Sequence, residues 1–253
     1  MAAAAANKAR HGMNESIARL STGVRAMYGG DAAGYSMGQQ TKAVSQSYAQ
    51  ATRNIEDAMS FAQQGESVLL EVANLAQRLR ELAITADNAA ILDANQEAAL
   101  NSEAALIGDT ITAVLDKTDF NTFEVVDSAA AKEYTIAYAS LTANTTEVGP
   151  NVSIASQAGI TAAAGAEANA DAVLAGVAEG LGNLAADLTA LKAFQGAASA
   201  TSANMAAAGA RLIDTDFALE TASLTKNTIL NQAALAMAAQ ANAAQSSILS
   251  VLQ

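Results

Sequence analysis

From Tyr35 to about Asp87 the chain contains no proline and only two glycines, at 38 and 65. Within that stretch, apolar or small residues fall at Ile55, Ala58, Ala62, Gly65, Leu69, Val72, Ala76, Leu79 and Ala83. The steps alternate three and four, which is the heptad spacing of a helix packed along its length against another. A helix over this whole stretch would be roughly 75 Å long at 1.5 Å per residue. That is too long for an ordinary compact domain. It predicts long paired helices.

The same pattern recurs. Residues 93–117 carry a stripe of Leu100, Ala104, Ile107, Ile111 and Val114, with Asp93 and Gln96 spaced as a capping box. "DKTDFNTF" then ends that helix. Near residue 169 helical period returns, and Leu174, Val177, Leu181, Leu184, Leu188 and Leu191 form a second seam that extends weakly to Gly209. Outside these lie a helix over 2–22 that stops at Gly23, and a last helix running to Gln253. Glycine-punctuated "GVRAMYGGDAAG" at 23–34 and "ARLIDTDFA" at 210–218 read as connectors. Between the seams, "FEVV" and "YTIAYA" are rich in β-branched and aromatic residues. Tyr134, Ile136 and Tyr138 alternate with small or polar ones, as in a half-buried strand.

The expected fold is therefore mainly α: long antiparallel coiled-coil-like helices with a small β-hairpin region at about 120–165, in an elongated two-domain subunit. One domain would combine 1–34 with 211–253, the terminal helices and their connectors. The other would span 35–210. Aromatics make up only 4% of the chain, with no Trp, so thin helical layers are expected rather than a thick globular core.

The last helix has an unusual surface. From Asn227 to Gln253 no side chain is charged. Leu230, Ala233, Met237, Ala241, Ala244, Ile248 and Val251 form one heptad-spaced apolar face, and amides and serines fill the rest. An ordinary surface helix carries charge on its wet side, and a membrane helix does not tolerate so many amides. An apolar face beside a neutral polar one fits burial among copies of the same chain. The alternative is an alanine-rich surface helix or a frayed tail.

Several chemistries are excluded. There is no cysteine, so no thiolate zinc site, disulfide or cysteine nucleophile exists. The net charge of -12, with no basic run, argues against nucleic-acid or anionic-membrane partners. No window is apolar enough to span a membrane, and "MAAAAANKARHGMNES" lacks the apolar region of a cleavable Sec-type signal. Gly34-Tyr35-Ser36-Met37-Gly38 matches the G-x-S-x-G string of a hydrolase elbow. That chemistry needs a later histidine, and the only histidine is His11. No metal-ligand cluster or phosphate loop is present, no cofactor is expected, and the chain does not read as an enzyme.

The ends of the chain resemble bacterial flagellin. "SIARLSTGVRA" followed by "DAAGYSMG" is similar to the family's R-L-S-[ST]-G helix end and D-A-A-G. "RNIEDAMSFAQQGESVLLEVANLAQRLRELA" resembles its first long core helix, with the R-x-R-E-L-A run. "KTDFN" resembles the T-x-F-N that closes the next helix. "ARLIDTDFALETASLTKNTILNQAALAMAAQANAAQSSILSVL" resembles the R-I-x-D-x-D-[FY]-A-x-E start and A-x-A-N end of its C-terminal region. The likeness runs in order over about 15–123 and 170–253.

The resemblance implies a structural subunit that polymerises into the flagellar filament for motility. The terminal helices would form an inner tube and the long helices a surrounding core, without outer variable domains. A hook–filament junction protein, built on the same terminal design, is the alternative. Implied partners are copies of the chain itself, a flagellin export chaperone on the C-terminal segment, the filament cap and the hook-junction proteins. Export by the flagellar type III system to the extracellular filament is also implied. Flagellins usually begin with a further segment, where this chain has "MAAAAANKARHG". The family also carries a site for a Toll-like innate receptor. Arg78 and Leu82 match it in "QRLRELA", and Glu103 matches by position, allowing one inserted residue. The competing reading is that Arg78 and Glu103 are solvated or inter-subunit charges and Leu82 is core.

Overall fold

The structure is a computed structural model that describes residues 2–25, 31–139 and 145–252; the side chains of residue 89 and of 247–252 lie outside the described set. Five helices dominate: α1 (Ala2–Thr22), α2 (Ala32–Ala86), α3 (Ala94–Lys117), α4 (Glu167–Ile213) and α5 (Phe217–Leu252). Two small hairpins lie between α3 and α4. Strands β1 (Asp119–Phe120) and β2 (Phe123–Glu124) pair antiparallel, as do β3 (Tyr134–Ala137) and β4 (Thr145–Val148). By its contacts the chain forms two units, residues 1–45 with 203–253, and residues 46–202.

In the unit 46–202, all nine seam positions from Ile55 to Ala83 are buried. They meet Ile111 and Leu115 of α3 and Val177, Leu184 and Leu191 of α4 in one apolar core. Pairs of contacts fix the helix directions. Glu56 accepts from Gln195, Gly65 lies against Leu184, Gly180 against Leu69, and Arg80 bonds Asp171. Numbers rise on α2 as they fall on α4, so the two are antiparallel. The glycines let the axes approach, because a Cβ on Gly180 would sit 2.9 Å from both Leu69 Cδ1 and Val152 Cγ1.

The run "RLRELA" divides its work by helix geometry. Residues 78 and 80 lie about 200° apart around the axis. Arg78 therefore reaches α3 at Glu103, and Arg80 reaches α4 at Glu167 and Asp171. Leu79 and Leu82, between them, are buried.

α3 begins as its sequence dictates. The Asp93 side chain accepts from the Asn95 and Gln96 N–H groups, and Gln96 accepts from the Asp93 N–H, completing the capping box. Both hairpins fall in the expected hairpin region, the first starting at Asp119 and taking its second strand from the β-rich "FEVV". The first turns through Asn121 and Thr122, both at positive φ (49° and 72°). Phe61 packs edge-on against Phe120 and Tyr134, tying both hairpins to α2.

In the unit 1–45 with 203–253, two boundaries shift. α2 starts at Ala32 rather than Tyr35 because Asp31 caps it. Its carboxylate accepts from the Gly34 N–H at 2.8 Å, and its carbonyl accepts from the Tyr35 N–H at 3.0 Å. A Cβ at Gly34 would overlap the Asp31 carboxylate, which accounts for the glycine in "DAAG". α4 continues to Ile213, so the second connector is only residues 214–216. Asp216 then caps α5, accepting from the Ala218 and Leu219 N–H groups at 2.9 and 3.1 Å. The first connector's residues 26–30 lie outside the described set.

Candidate functional site

α1 and α5 pair antiparallel. Gly12 lies against Asn227, Met13 against Thr228 (Oγ1 to Sδ 3.7 Å), and Arg19 against Glu220 (3.6 Å). From α1 this contact buries Ala6, Ala9 and Ser16. From α5 it buries Glu220 and half-buries Asn227, Asn231, Ala234 and Ala238. Most of these residues are small or polar; Met13 and Leu20 of α1 and Leu224 of α5 are half-buried too.

Four large apolar residues of α5 point elsewhere. Leu230 is 49% exposed, Met237 63%, Ile229 59% and Leu235 56%. Ala233, Ala241 and Ala244 are exposed as well. The face singled out in the sequence lies one residue, or about 100°, round the helix from the α1 contact. The side chains of Ile248 and Val251 lie outside the described set. Beside the contact runs an open groove of about 730 Å³, whose walls include Ala5, Ala9 and Gly12 from α1 and Leu230, Ala233 and Met237 from α5. Compared with an ordinary amphipathic helix this arrangement is inside out: amides turn inward and leucine and methionine outward.

In the other unit, Arg78 Nε and Nη2 donate to Glu103 Oε1 at 3.0 and 2.8 Å, and Nη1 donates to Glu81. The hydrogen bonds to Glu103, then those to Glu81, hold the guanidinium pKa above its ordinary value. Both partners remain about half exposed. Leu82 is 3% exposed and belongs to the core. The structure thus brings Arg78 and Glu103 together and places Leu82 beneath the surface.

A charged cluster that the sequence reading missed lies beside the hairpins. Lys132 Nζ bridges Glu124 (2.6 Å) and Asp127 (2.7 Å). Hydrogen bonding to Asp127, then Glu124, raises the Lys132 pKa, and hydrogen bonding to Lys132 lowers that of Asp127. The tyrosine hydroxyl of Tyr134 donates to the Glu124 carbonyl. No motif signals such a cluster, because its members are joined only by the chain's path.

Ser36 is exposed on α2, and no histidine follows it in the chain. Among the described residues there is no group of three potential metal ligands, and no helix is long and apolar enough to cross a membrane.

Comparison with known proteins agrees with these features. The bacterial flagellin N-terminal helical region matches residues 1–131, and the flagellin C-terminal helical region matches 168–252. A flagellin of Halalkalibacterium halodurans is 32% identical over 94% of this chain and 91% of its own. A flagellin of Bacillus subtilis is 27% identical over 94% and 92%. The flagellar filament core protein flaB2 of Brachyspira hyodysenteriae is 28% identical over 95% and 92%. These matches do not favour the hook–filament junction alternative. The chain belongs to the bacterial flagellin family, and it is a structural subunit of the flagellar filament rather than an enzyme.

Proposed function

We propose that the outward face of α5 is the surface that neighbouring copies cover in the filament. It comprises Leu230, Ala233, Met237, Ala241, Ala244, Ile248 and Val251. The single observation that supports this most is the inside-out arrangement of the terminal helices, with Leu230 and Met237 exposed beside an amide-lined contact. Burying a leucine or methionine side chain contributes roughly 1.5–3 kcal/mol. A few such residues per subunit, repeated along a polymer, drive assembly without any active site. Residues 1–34 and 211–253 form the inner-tube layer in this reading, and 35–210 the core layer around it.

The uncharged tail also suits the proposed partners. An export chaperone would bind the C-terminal segment and shield its apolar face before the flagellar type III system passes the chain outward. The filament cap and hook-junction proteins would then meet the same terminal helices at the two ends of the filament. Arg78 and Glu103 are proposed as the exposed part of a Toll-like receptor surface, with Leu82 supporting it from the core.

The test is a full chain shortened by residues 227–253. It should remain monomeric and give no filaments by electron microscopy. Regular filaments from the truncated protein would show that α5 is not the assembly element.

A further inference from the structure

The α1–α5 contact poses a problem of register. Its seam carries mostly alanine, Ala6 and Ala9 on α1 and Ala234 and Ala238 on α5, with Leu224 half-buried at the end near Glu220. Sliding α5 by one heptad would put Ala234 where Asn227 stands, Ala238 where Asn231 stands and Ala241 where Ala234 stands. Over the six stripe positions from Glu220 to Ala238 the observed register presents three apolar residues, Leu224, Ala234 and Ala238, and the slipped register also presents three, Ala234, Ala238 and Ala241, so the apolar count does not separate them. The observed register even leaves Asn231 Oδ1 and Glu220 Oε1 buried without a hydrogen-bond partner among the described residues, Glu220 having only the charge of Arg19 nearby. Apolar packing alone therefore does not select it.

Two polar relationships exist only in the observed register. Gly12 makes room for Asn227: a Cβ at residue 12 would sit 2.6 Å from Asn227 Nδ2. Arg19 lies 3.6 Å from Glu220, whose side chain is only 12% exposed. A one-heptad slip would carry Glu220 past the end of α1 at Thr22 and away from Arg19, so this ion pair is lost. Backbone bonds near the base also join the two helices' flanks. Arg25 N–H donates to the Ile213 carbonyl, and Thr215 N–H to the Gly23 carbonyl. Arg25 Nη2 also donates to the Leu212 carbonyl; these three bonds lie at one end, and water can replace them at small net cost.

We infer that the register of α1 on α5 is specified by Arg19–Glu220 and Gly12–Asn227, with the alanine seam supplying contact but no address. A polar residue at a seam position is an established way for paired helices to fix register at a cost in stability. This inference does not depend on which face of α5 other copies cover, and it is testable on the full chain before assembly.

The absence of cysteine makes disulfide trapping clean. Met13→Cys with Thr228→Cys reports the observed register, and Met13→Cys with Leu235→Cys reports the one-heptad slip. In the parent background, dilute monomer should close the first pair about tenfold or more faster than the second. With Glu220→Ala and Asn227→Ala added, the two rates should become comparable. If the first pair keeps its full advantage, the backbone bonds at the base set the register and the inference is wrong. If neither pair closes, the polar contacts hold the helices together rather than align them, which also overturns it.

Discussion

Arg78 on α2 grips Glu103 on α3 through two guanidinium nitrogens, at 3.0 and 2.8 Å, while Leu82 one turn away is sealed in the core. The pair is half exposed, so solvent screens it and its two side chains lose freedom in forming it. Leu82 loses nothing comparable and fills space no water can reach. Arg78→Ala should therefore leave urea unfolding almost unchanged, whereas Leu82→Ala should cost about 2–5 kcal/mol. An equal loss from both would mean that the ion pair, and not the leucine, secures this end of α2.

The two glycines of "GLG" at 180–182 should respond in opposite directions. A Cβ at Gly180 meets Leu69 and Val152 at 2.9 Å, but a Cβ at Gly182 meets nothing within 4 Å. Gly182→Ala should stabilise by about 0.5–1 kcal/mol through helix propensity alone. Gly180→Ala gains the same propensity, but overpacking of about 1–3 kcal/mol outweighs it. Thermal unfolding of the two single variants decides this, and the same sign for both would contradict the close α2–α4 approach.

Thr122 is a β-branched residue at φ 72° in the β1–β2 turn. Left-handed backbone costs a non-glycine residue about 1–2 kcal/mol. Thr122→Gly removes that strain but loosens the unfolded chain, so a net gain of up to about 1 kcal/mol is expected. Asn121 tolerates the same region through its short polar side chain and should gain less when replaced. Chemical denaturation of the two glycine variants compares them directly.

The Asp127–Lys132 pair sets a pH dependence. Hydrogen bonding to Lys132 lowers the folded-state pKa of Asp127. Its stabilising contribution is therefore complete above the ordinary carboxylate range, and is lost as pH falls through the depressed folded value. Lys132→Met retains most of the alkyl stem and removes the cause. Between neutral pH and about pH 2 the parent should lose stability more steeply than this variant. Parallel curves would show that the pair does not couple to folding.

The heptads made the helices legible because burial obeys them: every predicted seam position of α2 is buried in the structure. Asp93 and Gln96 announced α3 for the same reason, since a cap is a local event. The misread boundaries were those where a glycine stood for something other than a break. Gly34 makes room for its own capping Asp31, and Gly209 sits inside α4 against the α2 backbone near Lys42. The β-rich "FEVV" announced β2, but its pairing with Asp119–Phe120 was not legible, because two-residue strands carry no period. The apolar face of α5 was visible in the sequence. Its neighbour, the polar face that meets α1, was not, because Asn227 and Asn231 look like solvent-facing residues until the partner helix is in place.

The most direct test of the account replaces the exposed apolar residues of α5 and leaves its contact with α1 intact. Leu230→Glu with Met237→Glu, in the full chain, should keep the parent's helical circular dichroism and give no filaments by electron microscopy under conditions where the parent polymerises. Filaments of normal length and yield from this variant would contradict the claim that copies of the chain assemble by burying that face.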